Sequence, residues 1–475
     1  MNEKIISCLI ALSVMASFSN SQAASNSSQS GNYIVVNSAQ QLIDHIDRRF
    51  SDCQPGIHIV FDDAITLTAN DLASYPIELC PNLTLSGKGE YSQLTFDDSG
   101  LPQGMTLFEV DQNDVIENMT INVPSDYNVI AIGNAPNDAS ETLGYLKVEN
   151  VTSNNGLLKF LINNGGNTGT FEGEFVDNTI NLGMQVTALD MVAGIEVTTD
   201  NHQTAYIDSI SNNKISTNGE DEPGIFIRAL DGGKIIFSKK DKQAGAIDFN
   251  TITSSSFGIY NFTSGGIIEY GGGMNNNLIN SGGAEAAGIE NYAENNGSQI
   301  IIKDGMSSNR IISLGGIYSP GIINRAGEYD NGRDSVKSSD LSNTALRPKI
   351  IISGNFTNNQ VETAEFTDPA DTENSNFLNQ AFSGGMIDLS RAHIFDNTAT
   401  EEISYYYDTS GQLVPDTDGN PEFSNEAGSN SVIKIGYGSA KKNDHYLRKH
   451  NNFVPPENAI SNFVPVVSSG EGSIK

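Results

Sequence analysis

The amino-acid sequence predicts an all-β protein built as a single parallel β-helix, and two observations carry this prediction. Short apolar runs repeat at intervals of 30 to 34 residues, and glycine and asparagine stand between the runs. The runs are short, rich in isoleucine and alternating, which excludes helical repeats of similar period. Stacked coils of about 32 residues, each with three short strands, account for the pattern.

Glycine marks two places in each repeat. A glycine precedes an apolar strand start at Gly194, Gly224, Gly258, Gly288 and Gly321. A Gly-Gly-x-Ile motif at 232–235, 265–268 and 384–387 indicates a turn followed by a second strand. Because glycine adopts positive φ angles without a side-chain clash, it suits tight turns between strands.

An asparagine three positions after an apolar residue is the third marker of the repeat. A short β-type run follows nearly every one of these asparagines. Coils stacked about 4.8 Å apart would place each asparagine above the next, which predicts a ladder of side-chain hydrogen bonds. Seven matches in register argue against simple compositional bias; they are Asn178, Asn213, Asn250, Asn277, Asn309, Asn359 and Asn397.

The first 24 residues have the pattern of a signal peptide. Lys4 precedes an apolar run from Ile5 to Phe18, and the small residues around Ala23 suit cleavage there. The alternative, a membrane anchor, needs about 20 apolar residues. No other segment is apolar enough to span a membrane as a helix. We therefore expect an exported protein in the periplasm, at the cell surface or outside the cell.

Residues 25–80 are predicted to cap the open end of the β-helix. Ser38 can cap the N-terminus of an amphipathic helix whose apolar face holds Leu42, Ile43 and Ile46. A solenoid needs such a cover because its last coil exposes apolar side chains and unpaired backbone.

Two cysteines in this region are predicted to pair. In an oxidising compartment Cys53 and Cys80 would form a disulfide that fastens the cap to the first coil. Two buried free thiols are the alternative.

The β-helix itself is predicted to span 81–400. Polar residues at 328–347 and acidic residues at 362–381 interrupt the repeat and indicate surface loops. We expect a hairpin within 401–440 to act as the C-terminal cap and 441–475 to form a flexible tail.

The charge balance excludes one class of partner. Against 58 Asp and Glu the chain has only 26 Lys and Arg, a formal net charge of −32. Nucleic-acid binding needs clustered basic residues, so we expect no nucleic-acid partner. An acidic balance fits an exported surface protein.

The sequence offers little catalytic chemistry. The six histidines have no metal-ligand spacing, and no phosphate loop, dinucleotide fingerprint or nucleophile motif is present. The carboxylate pairs Asp62–Asp63 and Asp97–Asp98 are adjacent, so their side chains point to opposite faces of a strand. We therefore predict no catalytic residues, no metal and no cofactor.

The strands that follow the single glycines offer a candidate binding face. Alternation places one set of their side chains outward, and aromatic and arginine side chains from successive coils then form a contiguous strip. We call this set the aromatic strip and predict that it is exposed and binds a ligand; it consists of Phe226, Arg228, Tyr260, Phe262, Tyr292 and Arg325.

These motifs resemble known families. The cap helix followed by Leu-Thr-Leu-Ser-Gly at 83–87 resembles pectate-lyase-like proteins, which implies a right-handed parallel β-helix. The glycine and asparagine markers are similar to repeats of polymorphic outer-membrane proteins and autotransporter passengers, which are secreted adhesins. The literal Phe-x-x-Asn of those repeats stands at Phe175–Asn178 and Phe356–Asn359. We do not expect their C-terminal membrane barrel after residue 400.

Three functions are compatible with these sequence features. The first is a non-enzymatic, adhesin-like role, with a glycan or a surface ligand of a host or neighbouring cell as partner. The second is a β-helix polysaccharide lyase or glycoside hydrolase, in which Arg228 or Arg325 could serve as base, although the lyase motif Arg-x-Pro-x-x-Arg is missing. The third is a structural component of the envelope. An enzyme would require charged side chains of neighbouring coils to converge in a groove.

Overall fold

A computed structural model describes the chain from residue 33 to residue 474 with gaps. The described residues are 33–68, 70–71, 76–89, 91–97, 107–110, 113–123, 145–162, 170–183, 191–219, 221–238, 245–283, 286–315, 319–328, 347–364, 376–402, 405–407, 413–415, 423–427, 431–435, 452–453 and 473–474. The predicted signal peptide at 1–24 lies outside them, as does most of the predicted loop at 328–347. The fold is carried by one compact unit, Ile34–Lys475.

Among its described residues, the first part of the chain has one helix, α1 (Ala39–Ile46), and several short strands. The strands are β1 (Tyr33–Val35), β2 (His58–Phe61), β3 (Ile65–Leu67), β4 (Ile77–Glu78), β5 (Thr84–Gly87), β6 (Gln93–Phe96), β7 (Phe108–Glu109), β8 (Asp114–Asn122), β9 (Tyr145–Asn154), β10 (Leu158–Ile162), β11 (Thr170–Val176) and β12 (Thr179–Leu182).

The middle part holds the most regular coils. Its strands are β13 (Ile195–Thr199), β14 (Thr204–Ser211), β15 (Lys214–Thr217), β16 (Ile225–Leu230), β17 (Lys234–Phe237), β18 (Ala246–Asp248), β19 (Thr251–Ser254), β20 (Ile259–Ser264), β21 (Ile267–Tyr270), β22 (Met274–Asn275), β23 (Leu278–Ser281), β24 (Ile289–Ala293), β25 (Gln299–Ile302), β26 (Gly305–Ser307), β27 (Arg310–Ser313) and β28 (Ile322–Ala326).

The last part continues the stack. Its strands are β29 (Lys349–Thr357), β30 (Gln360–Ala364), β31 (Phe377–Ala381), β32 (Met386–Phe395), β33 (Thr398–Glu402), β34 (Tyr405–Tyr407), β35 (Leu413–Pro415), β36 (Phe423–Ala427), β37 (Val432–Ile435), β38 (Asn452–Phe453) and β39 (Ser473–Ile474).

Nearly all strand pairs are parallel and join one coil to the next, which confirms the predicted parallel β-helix. An eight-stranded sheet, here called the small sheet, is formed by β10, β13, β16, β20, β24, β28, β31 and β36. Of the other described strands, 27 form one larger sheet, and β4 with β7 and β34 with β35 form two separate pairs. β14 pairs with both β17 and β18 of the next coil. One long strand in one coil therefore corresponds to two shorter strands in the next.

The core is one apolar column that runs through the stacked coils. The isoleucines after the single glycines, such as Ile225, Ile259 and Ile289, point into it and are fully buried. Isoleucines of the larger sheet, such as Ile252 and Ile279, meet them from the opposite side. Alternation along each strand therefore decides which residues remain for the outer surface.

The predicted asparagine ladder is present. Asn213 Nδ2 donates to Asn250 Oδ1 at 3.0 Å, and Asn250 Nδ2 donates to Asn277 Oδ1 at 3.0 Å. The same bond links every step from Asn178 to Asn397. The residue before each ladder asparagine has a φ angle of 55° to 58°, including the bulky Phe249. This residue, in the left-handed conformation, turns the chain so that the asparagine side chain points into the stack.

A second ladder lies inside the core. Asn261 Nδ2 donates to Asn291 Oδ1 at 2.8 Å, and Asn291 Nδ2 donates to Asn324 Oδ1 at 2.9 Å. Asn379 and Asn425 extend the series. Earlier coils have Val197 and Ile227 at this position, and the hydroxyl of Tyr270 donates to Asn261 Oδ1 where the ladder begins. These buried amides are thus hydrogen-bonded to each other.

The N-terminal helix and the disulfide are confirmed. Ser38 accepts a hydrogen bond from the Gln41 backbone, and Leu42, Ile43 and Ile46 are buried. A disulfide joins Cys53 to Cys80. The helix contacts β2, β3 and β4, at the end of the stack where the cap was expected.

The limits of the stack differ from the predicted 81–400. β2 pairs with β1 as well as with β5, so paired strands begin at Tyr33, within the segment predicted as cap. At the other end β36 and β37 continue the coils beyond residue 400. The predicted loop at 362–381 includes parts of β30 and β31. Within 401–440 the strands β34 and β35 do form an antiparallel hairpin. β38 and β39, in the predicted tail, pair with β33 and β37.

Candidate functional site

The small sheet places the aromatic strip on its outer face in two columns. The first outward column runs through the register partners Glu196, Phe226, Tyr260, Glu290, Ile323 and Leu378. The second outward column runs through Thr198, Arg228, Phe262, Tyr292, Arg325 and Gln380. The predicted register is therefore correct, and the neighbours along each column are one strand spacing apart.

The first outward column is not exposed, which corrects the expectation for Phe226 and Tyr260. Phe226 is 2% exposed and Tyr260 is 9% exposed. The two rings stack at 5.1 Å, and Phe257, in the segment before β20, stacks on Tyr260 at 4.7 Å. Met191 and Ala193 pack against the same group. These residues form a small apolar cluster outside the β-helix, with a packing role.

In the second outward column Thr198 and Gln380 are buried, whereas the aromatic and arginine members are partly exposed; these are Arg228, Phe262, Tyr292 and Arg325. Phe262 and Tyr292 meet edge to face at 5.5 Å. At one end Arg228 lies over the Phe226 ring at 5.5 Å. At the other end Arg325 lies over the Tyr292 ring at 5.6 Å. Two rings flanked by two guanidinium groups thus line four successive strands.

Two buried carboxylates lie beside this column, and each has a cationic partner. Lys159 Nζ lies 3.1 Å from Glu196, whose other oxygen accepts a hydrogen bond from Thr198 Oγ1 at 3.0 Å. Arg325 lies 3.2 Å from Glu290. Burial raises the pKa of the Glu290 carboxyl, and the nearby Arg325 guanidinium opposes that rise. Sequence reasoning missed Lys159 because β10 lacks the glycine marker of the later coils.

A second group of ionisable and hydroxyl side chains lies on the larger sheet of the early coils. Sequence reasoning missed this group. We call it the early-coil patch; it consists of Ser86, Glu117, Tyr145, Lys147, Glu149 and Glu174. Lys147 Nζ lies 2.8 Å from Glu149 and 4.0 Å from Glu174. The Tyr145 hydroxyl donates to Glu174. Glu117 accepts a hydrogen bond from Ser86 at 2.7 Å and is the register partner of Glu149.

The protonation of the patch follows from its neighbours. Burial, together with the Glu174 carboxylate, raises the pKa of Tyr145, so its phenol stays protonated. Burial lowers the pKa of Lys147, but the Glu149 and Glu174 carboxylates outweigh that effect and raise the pKa overall. Tyr145 is thus a hydrogen-bond donor and Lys147 a cation beside two carboxylates.

The carboxylate pairs noted in the sequence do not belong to either group. Asp62 pairs with Lys88 at 2.8 Å in an exposed ion pair. Asp98 lies outside the described residues. Within the described part of the chain, no three His, Cys, Asp or Glu side chains are grouped to hold a metal ion. The described residues also contain no helix with the length and apolar character needed to cross a membrane.

Comparisons with known proteins give a fold-level likeness only. No protein-family model matches the sequence, and no curated protein does. The A-module of the Azotobacter vinelandii mannuronan C-5 epimerase AlgE4 aligns with 74% of this chain and 89% of its own, at 11% identity and a TM-score of 0.37. The AlgE6 A-module aligns over 84% and 91%, at 12% identity and a TM-score of 0.39. At these values neither likeness assigns an activity to this chain.

Proposed function

We propose that this protein is an exported β-helix with an adhesin-like role, and that the second outward column of the small sheet contacts its ligand. The column Arg228, Phe262, Tyr292 and Arg325 carries this proposal, because it is the part of the aromatic strip that is partly exposed. Its strands are hydrogen-bonded on both sides, so the rings are held at fixed spacing. Preorganised rings and guanidinium groups bind at little entropic cost.

A glycan is the ligand that suits this face. Sugar rings stack their apolar faces on aromatic rings, and guanidinium groups bind carboxylates or hydroxyls at the rim. The similarity of the repeats to those of secreted adhesins agrees with this role.

Replacement of both aromatic residues tests the binding face. We expect Phe262→Ala with Tyr292→Ala to weaken glycan binding by about 1–3 kcal/mol, the range of an anchoring contact. The control is Tyr91→Ala with Tyr206→Ala, which removes two aromatic rings elsewhere on the chain. Binding is measured on a glycan array and then by titration calorimetry, with thermal unfolding to verify the fold. Equal affinity in both double variants would reject the face.

A glycoside hydrolase is the second candidate, and the early-coil patch favours it. Glu117 and Glu149 are register partners on adjacent strands, which places two carboxylates about one strand spacing apart. Glycoside hydrolases use two carboxylates at comparable separations. The test is release of reducing ends from neutral polysaccharides by the intact protein and by Glu149→Gln. Release that Glu149→Gln abolishes would support the enzyme; no release from any substrate would reject it.

A further inference from the structure

The two arginines of the second outward column differ in how far their charge is already neutralised. Arg325 lies 3.2 Å from the Glu290 carboxylate, and its Nε donates to Gln380 Oε1 at 3.2 Å. It also lies over the Tyr292 ring. The protein itself therefore supplies a carboxylate for Arg325, which then holds Tyr292 in place.

Arg228 has a different environment. It lies over the Phe226 ring, and no carboxylate within the described residues lies at ion-pair distance from it. Its Nε is buried and finds no hydrogen-bond acceptor among them. Glu196, in the first outward column on the adjacent strand β13, already contacts Lys159 and Thr198. Within the described residues Arg228 thus has no carboxylate partner, whereas Glu196 and Glu290 on the same face are both paired.

We propose that Arg228 receives the carboxylate of an acidic glycan whose sugar rings lie along Phe262 and Tyr292. This inference rests on the binding face proposed above and identifies its ligand class. A guanidinium group can form two parallel hydrogen bonds with a carboxylate. The chain is strongly acidic overall, but salt screens charges beyond about 8 Å, so the local positive charge governs the contact.

The position on the sheet favours a glycan over a peptide. Peptides commonly bind sheets by adding a strand to a free edge. β16 is paired with β13 on one side and β20 on the other, so its backbone groups are already used. Recognition here must use side-chain faces. A strand spacing of about 4.8 Å is close to the length of one sugar residue, so successive sugars can follow successive coils.

Calorimetry with three probes tests this inference on the full-length exported protein. The probes are tetragalacturonate, the same tetrasaccharide with its carboxyl groups reduced to alcohols, and a tetraglutamate peptide. Arg228→Gln removes the charge and keeps most of the side-chain length. Arg310→Gln, an exposed arginine on another part of the β-helix, is the matched control.

The expected result is a loss of affinity for the charged tetrasaccharide alone. Arg228→Gln should weaken tetragalacturonate binding about tenfold or more, because a charge-assisted contact is lost, and leave the neutral tetrasaccharide unchanged. Arg310→Gln should change neither. Raised salt should weaken tetragalacturonate binding to the native protein more than to Arg228→Gln.

Other outcomes separate the two proposals. If Phe262→Ala with Tyr292→Ala abolishes binding but Arg228→Gln does not, the face is correct and the acidic ligand is rejected. If that double variant binds every probe like the native protein, the binding face itself is rejected. Tighter binding of tetraglutamate than of tetragalacturonate would overturn the assignment of a glycan.

Discussion

At the scale of single residues, the asparagines of the turn determine how the coils are locked together. Asn277 Oδ1 accepts hydrogen bonds from the backbone N–H and the side-chain amide of Asn250, at 3.1 and 3.0 Å. Its own amide donates to Ile247 O at 2.9 Å and to Asn309 Oδ1 at 3.0 Å. Each asparagine thus satisfies buried groups of the coil before it and the coil after it. The repeated asparagine in the sequence follows from these hydrogen bonds to both neighbouring coils.

Removal of one ladder side chain should be costly. Asn277→Ala leaves two buried donors of Asn250 and the Ile247 carbonyl without partners, so we expect a loss of about 3 kcal/mol in the free energy of unfolding. Asn280→Ala, an exposed asparagine of the same coil, is the control and should change stability little. Urea unfolding of both variants measures the difference. Equal stability of the two variants would contradict the structural role of the ladder.

The carboxyl of Asp248 should make the stability of the protein depend on pH. Burial raises its pKa to about 6, although hydrogen bonds from Asn275 oppose the rise and Asp304 adds to it. A raised folded-state pKa means that the folded protein binds more protons, so stability falls as the pH rises from about 4 to about 6. Asp248→Asn should therefore raise the Tm at pH 7.5 more than at pH 4, as measured by calorimetry.

The exposed Asp63 provides the control for this effect. Asp63→Asn should change the Tm by a similar small amount at both pH values. If Asp248→Asn behaves in the same way, burial of Asp248 does not govern the pH dependence.

At the scale of elements, the glycines before the strands of the small sheet are fixed by packing rather than by a turn. A Cβ atom on Gly258 would lie 2.2 Å from Ile279 Cγ2 and 2.5 Å from the carbonyl oxygen of Gly288. The same two kinds of neighbour surround Gly194, Gly224 and Gly288. Each of these strands begins where the backbone presses on an isoleucine from the opposite side of the coil. Glycine therefore repeats with the coil.

A single methyl group at this position tests that explanation. We expect Gly258→Ala to lower the free energy of unfolding by about 2 kcal/mol through overpacking. Gly282→Ala is the control, because the nearest atom to its added Cβ is 3.8 Å away. Thermal and urea unfolding compare the two. A tolerated Gly258→Ala would show that the glycine is retained for another reason.

The elements that the sequence could predict are those that repeat. Period-two alternation and the glycine marker predicted the register of the small sheet, and the asparagine spacing predicted the ladder. Burial of Phe226 and Tyr260 could not be predicted, because Met191 and Phe257 cover them from segments outside the repeat. The early-coil patch was missed for a related reason: β8 and β9 lack the glycine marker, so their outward residues could not be aligned.

At the scale of the whole molecule, the strand pairs of the described residues join each coil to the coils next to it. β20, for example, pairs with β16 and β24. In such stacked folds stability is approximately a sum of coil and interface contributions, so opening begins at an end. α1 contacts β2, β3 and β4, and the Cys53–Cys80 disulfide links the segment after this helix to the first coils. The disulfide thus restrains the coil at the end of the stack, where opening would begin.

Loss of the disulfide should therefore loosen one end and spare the middle. The bond closes a segment with a sequence separation of 27 residues, and such a closure contributes about 3 kcal/mol. In Cys53→Ala with Cys80→Ala we expect faster amide hydrogen exchange in β2 and β5 and unchanged exchange in β21 and β25, as measured by mass spectrometry. Alkylation of the native protein before and after reduction verifies that the bond is formed. If amide exchange becomes equally faster in all four strands, the β-helix opens as one cooperative unit. If exchange in β2 and β5 is unchanged, packing alone holds the N-terminal segment in place.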